Sequence, residues 1–145
     1  MTNLEFSIDT VSTAEQLAAL TKLLNAHNES RGFTWAPESL AIYAYDSENR
    51  TVGGITATTN FGWLHINILA VDEGLRGSGC GSLLVKMAEE AALTRGCHAA
   101  YLDTFSFQAL EFYQKCGYEI YGVLDDFPPG QRRYFLKKVL RSLHQ

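Results

Sequence analysis

The sequence predicts a mixed α/β fold in the order β-α-(α)-βββ-α-β-α-ββ, the bracketed helix being an irregular stretch. Three observations predict it. Residues 40–71 hold three strand-like runs joined by short turns, the pattern of an antiparallel meander. Residues 83–104 pass from an apolar stripe of helical period to another strand-like run, which asks for a parallel return and hence a mixed α+β sheet. The chain has 145 residues, the length of one domain spanning 1–145, and such a sheet needs both faces covered.

The elements follow in order. Leu4 to Thr10 alternate apolar and polar side chains, the period of a half-buried strand. Ser12 or Thr13 can cap the next helix, with Glu15 and Gln16 close behind. Leu17, Leu20, Leu23 and Leu24 form its stripe, and it should fade through residues 25–32. Phe33, Trp35 and Pro37 stand in a polar, irregular stretch. The meander strands are Leu40–Tyr45, Thr51–Thr58 and Trp63–Val71. On the third, alternation places Trp63, His65, Asn67 and Leu69 on one face. Leu64, Ile66, Ile68 and Ala70 take the other, which should be core. After Gly81, residues Leu83, Leu84, Met87, Ala88, Ala91 and Ala92 line one side of a helix, and Gly96 occupies its C′ position. His98–Thr104 reads as a strand. Ser106 can cap a helix from Phe107 to Cys116, closed by Gly117. Tyr118–Leu124 and Arg132–Val139 are the last strands.

Composition excludes several function classes. Apolar residues make up 46% and charged residues 19%, which suits a packed core rather than disorder. The net charge of −4 provides no global field for nucleic acid or anionic lipid. No apolar run reaches the ~18 residues of a membrane span, and the first residues carry no basic, apolar leader pattern. Three cysteines do not suggest a disulfide framework, so a reduced, cytoplasmic setting is expected. No Cys/His spacing suggests a metal.

The most informative segment is Val71-Asp72-Glu73-Gly74-Leu75-Arg76-Gly77-Ser78-Gly79-Cys80-Gly81-Ser82, between a strand and a helix. The first turn of a helix leaves N–H groups unpaired, and the helix dipole adds positive charge there. Gly77, Gly79 and Gly81 let the backbone approach an oxyanion without a Cβ in the way. Such a loop can cradle a phosphate or pyrophosphate. It is not a nucleotide P-loop, since Gly81 is followed by Ser82-Leu83 and no lysine. It also departs from the dinucleotide fingerprint, whose third glycine position is Ser82 here. A bland alternative is a flexible turn.

Arg76-x-x-Gly79-x-Gly81 resembles the Arg/Gln-x-x-Gly-x-Gly/Ala signature of the GNAT N-acetyltransferases, which use acetyl-CoA. Leu69-Ala70-Val71-Asp72 precedes it, as in that family, and Ala109-Leu110-Glu111-Phe112-Tyr113-Gln114-Lys115-Cys116-Gly117-Tyr118 is similar to the family's second segment. The resemblance covers essentially the whole chain. It implies a splayed central pair of parallel strands, with the pantetheine arm of coenzyme A lying between them. The residues it implies for the coenzyme are Leu69, Ala70, Val71, Arg76, Gly77, Ser78, Gly79, Cys80, Gly81, Ser82, Ser106 and Tyr113. The loop amides would take the pyrophosphate, and the Val71 N–H would polarise the thioester carbonyl. Tyr113 corresponds to the tyrosine that protonates the departing thiolate. Ser106 stands where relatives often carry asparagine.

The base is less well marked. Some relatives place a glutamate six residues before the position of Val71, and His65 sits there. A histidine with a pKa of about 6.5 can accept the proton of an attacking ammonium; the alternative is a structural histidine. His27 is a weaker candidate, and His98 and His144 read as structural or solvated. By resemblance, Glu29, Phe33, Trp35 and Asp125, with Asp126 and Phe127, flank the acceptor cleft; carboxylates and aromatic faces suit a cationic amine. Asp103 either faces the cleft or caps the next helix. The activity implied is direct acetyl transfer from acetyl-CoA to a small-molecule amine, without metal, nucleic acid or membrane. Homodimers are common in the family. The alternatives are a non-catalytic acyl-CoA sensor and a transferase for longer acyl-CoA.

Overall fold

The computed structural model describes residues 3–143, which places His144 outside the described residues. The chain falls into two compact units, one up to Trp35 and one from Ala36 onward. The first unit contains α1 (Ala14–Ser30). Thr13 opens it with a reciprocal capping box: its Oγ1 accepts the Gln16 N–H at 3.0 Å, and Gln16 Oε1 accepts the Thr13 N–H at 2.8 Å. The helix does not fade at Asn25 but continues to Ser30, with His27 in its last turn and Gly32 at φ +87° beyond it. One helix therefore replaces the expected helix and its irregular successor. Residues 4–10 form no strand. Alternation makes a segment compatible with a sheet, but a strand exists only through its partner.

The second unit is built from β1 (Glu38–Tyr45), β2 (Thr51–Asn60), β3 (Trp63–Val71), α2 (Cys80–Thr94), β4 (Ala99–Phe105), α3 (Leu110–Lys115), β5 (Glu119–Asp125) and β6 (Arg132–Val139). A short 3₁₀ turn, Glu73–Leu75, follows β3. The six strands form one sheet in the order β1-β2-β3-β4-β6-β5. Only the β3–β4 pair is parallel. Ile55, Leu64, Leu102 and Leu136 of the sheet pack with Leu84, Val85, Ala88 and Ala92 of α2 and with Tyr113 and Tyr118. Burying these apolar side chains stabilises the fold by roughly 1.5–3 kcal/mol each before the entropy cost.

Two details of this core differ from the sequence expectation. The buried stripe of α2 is Leu84, Val85, Ala88, Glu89 and Ala92, so Leu83 and Met87 are turned outward. Glu89 is tolerated inside because it is fully partnered. Tyr118 Oη donates to its Oε2 at 2.8 Å, and Lys138 Nζ donates to its Oε1 at 3.0 Å. Lys138 Nζ also donates to the Cys116 carbonyl at 2.8 Å, beside Gly117 at φ +97°.

The second difference is in β3. Thr56 pairs with Ile68 but Ala57 pairs with Ile66, so Asn67 is an extra residue in a β-bulge. One inserted residue reverses the alternation beyond it. Leu64 and Ile66 are buried as expected, yet Ile68 is 63% exposed, while Leu69 and Val71 turn to the core. Asn67 is exposed as alternation expects, but the predicted face is wrong from Ile68 onward.

Candidate active site

The bulge sits where the sheet opens. β3 and β4 pair only at Trp63–Ala99, Leu64–Ala100 and His65–Tyr101. Beyond these positions β2 still holds β3 as far as Gly53–Val71, and β6 still holds β4 as far as Phe105–Arg133. Two paired arms thus diverge around a gap, the splay that the family resemblance implies. The Asp72 N–H donates to the Val52 carbonyl at 2.7 Å, on the β2 side. Successive strand amides point to opposite edges, so the N–H groups of Val71 and Leu69 face the gap. Ala70, between them, turns its main chain to Gly54 of β2.

The glycine loop leads from this edge to α2. Asp72 Oδ1 accepts the Gly74 N–H at 2.9 Å and starts the 3₁₀ turn. Gly77 and Gly79 then adopt φ of +79° and +87°, left-handed values that side chains disfavour. Ser78 Oγ donates to the Leu75 carbonyl and accepts the Cys80 N–H at 3.3 Å. Gly79 is the N-cap of α2 and offers no side-chain acceptor, and the first turn carries no acid. The N–H groups of Gly77, Gly79, Gly81 and Ser82 have no protein acceptor among the described residues. Four amides without a protein acceptor at a helix start are donors of the kind a multiply charged anion can use. Arg76 is exposed beside them and forms no ion pair among the described residues.

Packing fixes the loop in place. A Cβ on Gly81 would lie 3.3 Å from the Phe112 ring and 3.7 Å from Val71 Cγ2, so α3 and the end of β3 press directly on the start of α2. Cys80 turns inward, its Sγ 3.5 Å from where a Cβ on Gly53 would be, which makes packing its role here.

Tyr113 comes from α3 on the core side of the sheet. It is buried, edge-on to Phe112 and Tyr118 with centroids 5.2 and 6.1 Å away. Its hydroxyl makes no hydrogen bond within the described protein, and it is not one of the sealed, unpartnered polar atoms either. Burial, then Cys116 and Asp103, push its pKa up to about 12. His65 stands on the opposite face of the sheet. Its ring stacks on Tyr101, 4.5 Å between centroids and 8° between planes. Trp63 meets Tyr101 edge-on at 5.9 Å. Burial lowers the His65 pKa below its usual value, against an opposing pull from the Asp103 carboxylate. At neutral pH the imidazole is therefore neutral and the phenol protonated.

Several expected residues have other roles or positions. Ser106 does not cap α3, whose N-cap is Ala109. Its Oγ instead donates to Gln131 Oε1 at 2.6 Å and accepts the Arg132 N–H at 3.0 Å, tying the end of β4 to β6. Asp125 pairs with Arg132 at 3.0 Å, both exposed. Asp126 Oδ1 accepts the Gly130 N–H at 3.2 Å within the hairpin turn. Glu29, Phe33 and Trp35 belong to the first unit, at and beyond the last turn of α1. Asp103 caps no helix but pairs with Arg133. His98 packs edge-on to Trp63 and donates its N–H to the Gly62 carbonyl at 2.8 Å. Three features escaped the sequence reading: the Asn67 bulge, the Glu89 network and the Asp103–Arg133 pair. A buried acid in a helical stripe was the one visible sign among them. Among the described residues there is no group of three or more potential metal-ligating side chains, and no helix long and apolar enough to cross a membrane.

Residues 12–118 match the model for the acetyltransferase (GNAT) family. The chain is 38% identical over 104 residues to a blasticidin-S acetyltransferase of Streptomyces morookaense, covering 71% of this chain and 76% of that protein. It is 35% identical over 135 residues to an acetyltransferase of Agrobacterium fabrum (strain C58), covering 93% and 98%. The crystal structure of an acetyltransferase from Bacillus cereus ATCC 14579 superposes with a TM-score of 0.81 at 34% identity, covering 92% of this chain and 97% of that one. An aminoglycoside 6'-N-acetyltransferase complexed with coenzyme A shares the fold, with a TM-score of 0.64 at 22% identity and coverage of 90% and 82%.

Proposed function

Because the chain belongs to the GNAT family of acetyltransferases and is an acyltransferase, we propose that it moves the acetyl group of acetyl-CoA directly onto the amine of a small molecule. The observation that carries this reading is the coincidence of two features: the unpaired amides of Gly77, Gly79, Gly81 and Ser82, and the unpaired strand edge of Leu69 and Val71. The first suits the pyrophosphate of coenzyme A, with Arg76 beside it as an exposed cation. The second suits the amide-bearing pantetheine arm, which can hydrogen-bond to a strand edge as another strand would. The fit of a small-molecule acceptor draws support from the printed name of the blasticidin-S relative. Three free thiols suit a reducing, cytoplasmic setting.

The chain's residues then divide the chemistry between the two faces of the sheet. The Val71 N–H, aimed into the gap, stabilises the negative charge that develops on the thioester oxygen; one such donor is worth about 3 kcal/mol. His65, neutral at pH 7, stands six residues before Val71 on β3, roughly 20 Å of strand, so it takes the proton that the attacking nitrogen must shed through a chain of waters. The C–N bond forms as the C–S bond breaks, and Tyr113 gives its proton to the leaving sulfur. A phenol near pKa 12 is a weak acid in water, but the burial that weakens it also raises the proton affinity of a thiolate held beside it. Tyr113 then recovers a proton from solvent. Domain 1–145 acts as one transferase domain in this reading, and no metal is required.

The test is an amine panel with acetyl-CoA, read as free thiol, on the wild type and on Tyr113→Phe. The wild type should release thiol with at least one amine. The variant should lose about 10²–10⁴ in kcat while its coenzyme affinity holds. Undiminished turnover in the variant removes Tyr113 from the acid role, and failure of coenzyme A to bind removes the whole reading.

A further inference from the structure

The sheet face turned away from α2 carries an aromatic side chain that this chemistry leaves out. At the gap, Leu69 and Val71 turn their side chains to the core, where α2 and α3 pack. The open approach to the Val71 N–H is therefore from the opposite face, where Ile68 is 63% exposed and Ala70 is exposed too. One rung of the ladder crosses three strands there: Tyr43 of β1 pairs with Gly54 of β2, and Gly54 with Ala70 of β3. Two of these three have almost no side chain. The third leans over them. A Cβ on Gly54 would lie 2.8 Å from Tyr43 Cδ1 and 3.2 Å from Cε1, so the ring reaches off its own strand and lies across Gly54. Tyr43 is still 50% exposed. The next rung on the same face ends in Thr56 and Ile68. These five residues outline a shelf with a floor of bare backbone and one methyl group, an aromatic wall, an aliphatic wall and no charge.

The shelf is continuous with the reaction site. Ala70 immediately precedes Val71 in the chain, and Gly54 stands one strand, about 4.8 Å, farther from the gap. An amine that attacks a thioester held by the Val71 N–H has this shelf beside it for the rest of its skeleton. Resting on the function proposed above, we infer that Tyr43 is a specificity-determining residue, its ring being the wall against which a flat aromatic group of the acceptor packs. The lining selects that class. A flat ring fits a floor of Ala70 and Gly54, and aromatic pairs attract one another in edge-on or offset contact. A second cation would find no carboxylate among these five residues. Gly54 has to be bare, because its Cβ would displace the wall.

The test compares phenethylamine and tyramine with ethylamine and propylamine as acceptors from acetyl-CoA, in the wild type, Tyr43→Phe, Tyr43→Ala and Gly54→Ala. The wild type should favour the aryl amines in kcat/KM by about tenfold or more. Tyr43→Phe should keep that preference, because the ring remains. Tyr43→Ala should cut it by about fivefold or more, through a higher KM for the aryl amines and with KM for acetyl-CoA and for the short amines unchanged. Gly54→Ala should act in the same direction, because its Cβ pushes the ring aside. A merely structural Tyr43 would instead lower the turnover of all four amines alike. Coenzyme A affinity, measured alongside, reports whether each variant is folded. Should Gly54→Ala lose it, Tyr43→Val takes its place; it removes the ring, suits a strand and must lose the preference as Tyr43→Ala does. Equal use of aryl and short amines by the wild type, or a preference that survives Tyr43→Ala, overturns the inference and leaves the acetyltransferase reading standing. Acetylation of no amine at all is the failure of that reading instead.

Discussion

His65 and Tyr113 show how one kind of environment shifts two titratable side chains in opposite directions. Burial acts on both and disfavours whichever form is charged. It therefore lowers the imidazole pKa and raises that of the phenol, leaving a free base and a retained acid at the same pH. With an acceptor of fixed pKa, kcat/KM should fall on the acid side through a His65 midpoint below the usual 6.5, with no alkaline limb from Tyr113 below pH 10. His65→Gln should remove that acid limb; a limb that survives unchanged in a pH–rate profile excludes His65 as the base. The sign for stability agrees. A histidine that binds its proton less readily when folded loses stability as the pH falls from 6.5 through the lowered value. The sequence marked both residues by position alone. It left Asp103 undecided between cleft and cap, because its partner Arg133 is distant in the chain.

At the level of elements, the gap depends on what keeps its two arms together. α2 packs on β1, β2 and β3, whereas Tyr118 and Lys138 belong to the other arm. Glu89 is bound by both of these, so it ties the helix that opens with the unpaired amides to the arm that carries Tyr113. The Tyr118 N–H also donates to the Tyr113 carbonyl at 3.0 Å, which carries the tie to the end of α3. Glu89→Gln should cost about 3 kcal/mol in denaturant unfolding, the lower end for a broken buried pair, because Lys138 keeps 27% of its side chain exposed. Coenzyme A affinity should weaken in the same variant as the arms lose their tie. Unchanged unfolding would show that the network contributes nothing. The start of α2 makes a complementary case. Gly79→Ala meets no neighbour within 4 Å but takes a left-handed φ, costing about 1–2 kcal/mol, and should weaken coenzyme binding through loop geometry rather than collision.

On the scale of the whole molecule, the second unit is two paired half-sheets that share three ladder positions. Such a sheet gains from a ligand that fills the space between its halves. Acetyl-CoA at 100 times its Kd should stabilise the protein by about 2.7 kcal/mol, a rise in Tm of roughly 5–10 °C for a chain of this size. Thermal unfolding with and without the ligand measures it. A shift absent at saturating ligand would mean that the gap binds nothing. The net charge of −4 offers a polyanion no general attraction, so this affinity has to come from locally aimed amides and Arg76 rather than from the overall field.

Features with local causes are legible in the chain before it folds. Glycine spacing produced the uncapped start of α2, helical and strand periods produced most elements within a few residues, and Gly96 and Gly117 marked where two helices stop. Tertiary structure alone decided what depends on pairing between distant segments. The expected N-terminal strand found no ladder, the Asn67 bulge reversed a face that alternation had assigned, and Ser106 turned from a helix cap to the start of β6. The physical reason is that a period fixes which side chains lie together along one segment. Register, bulges and ion pairs are fixed by the neighbour a segment meets, and that choice is made only when the sheet assembles.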